Sequence, residues 1–335
     1  MSVNSSIFIH SWWRSSSTYV WQKLRQDVSL QCFYEPLHEG IASLNVNAIL
    51  SGPEVSLGRM LRHPTAEKHN FFEYLEPVRS GTLRYTPDLA YERYILRREQ
   101  ADAGLFAYID GLISVAAGNA RRAVLCFCRS QMRSAWMKEN FAGTHIAQIR
   151  NPFDQWVSFQ VNPYFIARMM GLALSLRKLH PGAFTHIEDF ELQAKEHSNR
   201  AAHQRNDPGP KPLSKRDVFR IYMLIWIASS MQSISNSDFV LDVDLLSNNP
   251  DYQKLSASKF QSLGCKIDFS DCLAPHSESL GIGSPGIREP VDDAIRAIKS
   301  NAKSLAIYDA EAISKSLLAL GPASREIVSL VAQRA

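Results

Sequence analysis

Four stretches of this chain hold residue types that could grip an anionic group and do chemistry beside it. The run Ser11-Trp12-Trp13-Arg14-Ser15-Ser16-Ser17-Thr18 puts four consecutive hydroxyls behind an arginine. Glu35, His38 and Glu39 bring two carboxylates and an imidazole into five residues. Arg129-Ser130 and Arg150-Asn151 each pair a guanidinium with a small polar side chain. A serine-rich turn that opens a helix makes an anion cradle, because backbone N–H groups at a helix start point outward and the macrodipole favours negative charge. Arg14 adds a permanent charge. The plainer reading makes Ser17 an N-cap and nothing more. A carboxylate or an imidazole beside such a cradle is the equipment of a general base.

The elements that would position these residues follow from the apolar runs. Ile7–His10 reads as a buried strand, and Val20, Trp21, Leu24 and Val28 recur at helical spacing after the serine turn. Cys32-Phe33-Tyr34 reads as a second strand, ended by Glu35-Pro36. A strand–helix–strand unit of this kind predicts neighbouring parallel strands. Further strands are expected at Ala123–Cys128, Thr144–Ile149 and Phe239–Val243. Residues 40–120 read as a mostly helical insertion. A helical stretch runs from Phe153 to Leu179 with Pro163 bending or breaking it, and Ile295–Val331 reads as two amphipathic helices. Strands separated by helices predict an α/β fold, a parallel sheet flanked by helices. In such sheets ligands bind outside the carboxyl ends of the strands. All four candidate stretches follow strand ends.

Trp13-Arg14-Ser15-Ser16-Ser17-Thr18-Tyr19 after the first strand resembles the 5′-phosphosulfate loop of sulfotransferases that use PAPS (3′-phosphoadenosine 5′-phosphosulfate), usually R-S-G-[ST]-T. Ile149-Arg150-Asn151-Pro152 through Ser158 resembles the 3′-phosphate motif of that family, an arginine at a strand end followed eight residues later by a serine. Tyr34-Glu35-Pro36 resembles a segment of the carbohydrate-type members. The match covers about residues 5–38 and 122–160. The resemblance implies a P-loop-like sulfotransferase fold with a helical insertion and PAPS as donor. It implies a small-molecule or glycan hydroxyl as acceptor, with no metal required. Arg14 would stabilise the transferring and leaving groups, Glu35 would act as general base with His38 as its rival, and Trp13, Ser15, Ser16, Ser17, Thr18, Tyr19, Arg150 and Ser158 would join Arg14 in holding the cofactor. Ser16 stands where the family has glycine, and an allowed conformation with its hydroxyl donating is expected there. Gly281–Arg288 faintly resembles the family's C-terminal cofactor loop. The rival readings are an ATP-dependent kinase or transferase and an inactive nucleotide-binding domain. The first would need G-x-x-x-x-G-K-[ST], which is absent.

Composition sets outer bounds. The chain has 335 residues, 45% hydrophobic and 21% charged, which excludes a disordered, collagen-like or coiled-coil protein. A single domain over 1–335 is expected. Its 37 Lys+Arg against 33 Asp+Glu leave +4, too little for a dedicated nucleic-acid binder. Lys195–Arg220 carries seven Lys+Arg against three acids, the whole of that excess, and its prolines mark a flexible loop at about 195–215. Five cysteines, an odd number without zinc spacing, read as buried reduced thiols in a cytoplasmic protein. The longest apolar stretches, such as Tyr222–Ala228, fall far short of the roughly 20 residues a membrane span needs, so none is expected.

Overall fold

The Ile7-Phe8-Ile9 run is buried on both sides, as a strand with helices on each face must be. A computed structural model describes residues 5–51, 70–179, 181–184, 190, 194, 213–274, 280–300 and 310–332. Its five strands are β1 (Ser6–His10), β2 (Leu30–Tyr34), β3 (Arg122–Phe127), β4 (Gly143–Ile149) and β5 (Phe239–Asp242). They form one parallel sheet in the order β2-β3-β1-β4-β5. The chain is therefore α/β, with a parallel sheet flanked by helices. His10 lies level with Phe127 and Ala147, and Tyr34 with Cys126, so the turns after four strands leave from one edge.

One expectation fails. β1 and β2 are not neighbours, because β3 lies between them. The link from β1 to β2 sets their direction but not their slots, which pairing across the whole sheet decides. Glu35 therefore stands one strand further from the serine turn than the sequence suggests.

Ile7 and Ile9 pack with Val20, Trp21 and Leu24 of α1 (Ser17–Arg25) on one face. Phe8 packs with Phe33, Leu125 and Leu112 of α2 (Ala103–Gly118) on the other. Gly143 is required at the start of β4: a Cβ there would strike the Ser6 carbonyl and come within 2.8 Å of the Phe8 ring. The insertion is less helical than expected, since 82–86 and 95–102 are irregular between short helices, and 52–69 lie outside the described residues. Pro163 breaks the next helix into α3 (Pro152–Phe159) and α4 (Pro163–Leu179).

The loop expected at about 195–215 lies almost wholly outside the described residues, but the basic stretch beyond it is helical. Residues 215–220 open the buried helix α5 (Lys215–Ser235). There Arg216 forms an exposed ion pair with Glu289 of α6 (Arg288–Ser300), and Arg220 a more buried one with Asp293 of the same helix. The C-terminal region forms α6, Ala310–Ser316 and Pro322–Ala332, more pieces than the two helices expected. All five cysteines are buried and free. No helix among the described residues is long and apolar enough to cross a membrane.

Candidate functional site at the carboxyl edge

The serine turn is held by its carbonyls. Ser15 Oγ donates to the Trp12 carbonyl at 2.7 Å, and Gln155 Nε2 to that of Trp13 at 2.6 Å. Arg150 Nη1 donates to the Arg14 carbonyl at 2.9 Å, and Gln148 Nε2 to that of Ser15 at 2.7 Å. The Ser16 carbonyl accepts the Tyr19 and Val20 amides as α1 begins. Five consecutive acceptors are thus satisfied from behind. Arg14 (φ 64°) and Ser16 (φ 62°) are both left-handed. Alternation of this kind turns successive N–H groups toward one concavity, an anion-binding nest at a helix start.

Ser16 is the N-cap and takes the conformation glycine favours, with no side-chain cap bond. The sequence reading of Ser16 is thereby revised: it keeps a glycine-like backbone rather than replacing it. The plainer reading of Ser17 as the cap also fails by one residue. The hydroxyls divide. Those of Ser15 and Thr18 turn inward, Thr18 Oγ1 lying 2.9 Å from the Tyr34 hydroxyl. Tyr19 points away, its hydroxyl donating to Asp271 at 2.8 Å; burial and that carboxylate push its pKa up.

The second motif meets the first. Arg14 Nε donates to Ser158 Oγ at 2.8 Å, and its guanidinium lies 5.1 Å from the centre of the Phe165 ring. Arg150 is buried and grips the turn's backbone. The Arg-Asn-Pro sequence is explained locally: Asn151 caps α3 through the Phe153 amide, and Pro152 takes the first helical position.

Beyond β2 and β3 the charged residues converge on Arg129, which is 1% exposed. Its Nη1 donates to Glu35 Oε2 at 3.2 Å and its Nη2 to Glu39 Oε2 at 2.8 Å. The guanidinium lies 5.5 Å from the ring centres of Trp13 and Tyr91. Arg129 therefore bridges the serine turn and the Glu35 segment across the strand that separates them. Glu39 also accepts from the Tyr164 hydroxyl and faces Arg168 Nη2 at 3.6 Å. Burial alone would raise the Glu39 carboxyl, but Arg129 and its other partners carry it down to about 2. Glu35 itself has φ 40°, a backbone conformation that non-glycine residues rarely adopt.

His38 is held differently. Its Nδ1 accepts the Gly40 amide at 3.0 Å, and burial followed by Arg129 lowers its pKa. A neutral ring that accepts at Nδ1 carries its proton on Nε2, which faces Glu35 Oε2 at 4.0 Å. His10 is buried between Ser130 Oγ at 2.8 Å and His145 Nδ1 at 3.0 Å, a satisfied core histidine.

Sequence reasoning missed Gln148, Gln155, Tyr164 and Arg168. Gln148 carried a faint signal, a polar residue in a strand otherwise apolar near its end. Gln155 is itself oriented by Trp226 Nε1 from α5, at 3.1 Å. The Gly281–Arg288 turn is closed by the Gly281 amide donating to Ser284 Oγ, and Ile282 and Ile287 pack on the core around α5. No family model, curated protein or solved structure matches the chain.

Proposed function

We propose that the chain is a PAPS-dependent sulfotransferase acting on an acceptor hydroxyl, with a carbohydrate as the favoured acceptor class. The observation that carries this reading is the Arg14–Ser158 hydrogen bond, which joins two motif segments 144 residues apart at one sheet edge. The residues fit an anionic phosphosulfate: a left-handed turn with its carbonyls capped, a helix start and a guanidinium beside both. When bound, PAPS supplies a sulfuryl group on a phosphate leaving group. The turn amides, with Ser16 and Ser17, would hold its 5′ end, and Ser158 with Arg150 behind it the 3′ phosphate. Arg14 would stabilise charge that develops on the transferring and leaving groups.

Glu35 is favoured over His38 as general base. The His38 lone pair is engaged by the Gly40 amide, whereas the Glu35 carboxylate keeps acceptor capacity beyond its Arg129 contact. Arg129 orients that carboxylate, and Glu39 balances the guanidinium charge. Cytoplasmic location fits use of reduced thiols and stays part of this proposal.

Titration with PAP and with ATP, each with and without magnesium, tests the donor. Metal-independent PAP binding at low micromolar or better is expected, and preference for Mg–ATP overturns the reading in favour of a kinase-type transferase. Radiolabelled sulfate transfer to a panel of sugars and phenols tests turnover. Glu35→Ala and Arg14→Ala should each lower it at least a thousandfold with the fold intact. PAP binding with no transfer to any acceptor would instead indicate an inactive nucleotide-binding domain.

A further inference from the structure

Arg129 and Arg133 lie four residues apart on the turn after β3, and both are buried, at 1% and 0% exposure. Arg129 has two carboxylates. Arg133 has one carbonyl: its Nη1 donates to Leu89 O at 3.0 Å, while Nε and Nη2 are enclosed without a hydrogen-bond partner. The nearby Asp102 is taken by Arg93 at 2.5 Å. A guanidinium withdrawn from water without a counter-charge is among the costliest arrangements a protein interior can hold. Burial accordingly draws Arg133 down to about 10.

Other donors in the same neighbourhood are also unspent. The Tyr94 hydroxyl, the Tyr85 hydroxyl, Trp13 Nε1 and Arg129 Nε are all enclosed and have no partner. The side chains that carry them pack in series. Arg133 lies 5.6 Å from the centre of the Tyr94 ring, Tyr94 is 6.1 Å from Trp13, and Trp13 is 5.5 Å from Arg129. Tyr85 lies within electrostatic range of both arginines. Guanidinium and indole N–H groups can only donate, and a tyrosine hydroxyl can donate as well. A water molecule accepts about two such bonds and supplies no charge. An anion accepts several and neutralises Arg133.

We propose that this cluster, formed by Arg133, Tyr94, Tyr85, Trp13 and Arg129, binds a compact inorganic anion of halide size. Enclosure of every donor excludes a bulky ester or nucleotide. The site shares Trp13 with the serine turn, but its donors are side-chain groups distinct from the backbone N–H groups of the nest, and it does not rest on the sulfotransferase reading. Because Arg129 belongs to both clusters, occupancy is coupled to the guanidinium that holds Glu35.

The test is thermal unfolding of the full chain at constant ionic strength, with gluconate exchanged for bromide. The wild type should gain several degrees in a saturable way. Arg133→Leu should show no saturable gain, and in gluconate it should melt no lower than the wild type, since it lacks the uncompensated charge. Tyr94→Phe should weaken the apparent bromide affinity about tenfold. A wild type indifferent to the exchange overturns the proposal, as does an Arg133→Leu response equal to wild type. Should Arg133→Leu fail to fold, wild-type crystals grown in bromide decide. Anomalous density within hydrogen-bond distance of Arg133 supports the site, and its absence there refutes it.

Discussion

The two edges of the sheet each set a half-buried glutamate against an arginine, and their chemistry differs. At the carboxyl edge Glu39 meets Arg129, Arg168 and the Tyr164 hydroxyl, and its carboxyl falls to about 2. At the amino edge Glu73 meets Arg25 at 2.6 Å through Oε1, while Oε2 is enclosed without a partner. There burial outweighs Arg25 and raises the carboxyl to about 7. Glu73 lines a cleft of about 630 Å³ with Gln31, Arg79, Asn119 and Arg121, on the side of the sheet where β2 and β3 begin. Backbone strain is distributed unequally as well. Of the four non-glycine residues with positive φ among the described residues, Arg14, Ser16 and Glu35 are at the carboxyl edge, and Ala120 is at the other. The carboxyl edge thus pairs its glutamate more completely and holds more of the strained backbone.

Breaking the better-paired cluster should give the largest effect. Arg129→Met leaves Glu35 and Glu39 without their shared cation and should cost about 3 kcal/mol in urea unfolding. Glu39→Gln in the same background should restore part of the loss, which a double-mutant cycle reads directly.

The two glutamates should then respond to pH with opposite sign. Glu39 has a folded pKa below its ordinary value of about 4.5, so its stabilisation is full above that value and is lost as pH falls toward 2. Glu39→Gln should flatten that acid limb, worth about 2–3 kcal/mol. Glu73 has a raised folded pKa, so the folded state holds its proton more tightly and stability declines as pH rises from about 4.5 through 7. Glu73→Gln should remove that decline and stabilise the protein at pH 8 by about 1–3 kcal/mol. A pH profile of unfolding with the same slope in both variants would show that pairing does not separate the two edges.

The smallest expected effect tests the strained turn. Ser16→Gly relieves a left-handed serine and should stabilise by less than about 1 kcal/mol, offset by the entropy of the unfolded glycine. A loss of more than about 1 kcal/mol would mean that the Ser16 side chain holds the turn.

Much of the edge was legible from spacing. Arg14, Glu35, Arg129 and Arg150 each follow an apolar run, and parallel strands bring their ends together. The break at Pro163 and the cap at Asn151-Pro152 were legible for the same reason, because proline restricts its own φ and its neighbour's conformation. The partners were not. Spacing alone makes Arg150 a ligand clamp, whereas in the fold its Nη1 donates to the Arg14 carbonyl. Sequence position makes His38 a rival base, yet its lone pair is engaged by the Gly40 amide. Gln148 and Gln155 gave little sign that they would cap the serine turn, since an amide's partner depends on what folding brings within 3 Å.

The sequence by itself determined which segments are strands, which way they run, and hence which side chains reach one edge. Those follow from local periodicity and from helix crossovers, which act over a few residues. The tertiary structure decided the strand order, the insertion of β3 between β1 and β2, and the sharing of charge among Glu35, Glu39, Arg129 and Arg133. Such outcomes depend on burial and on pairs of residues 44 to 94 positions apart, where one guanidinium finds two carboxylates and another, four residues on, finds a single carbonyl.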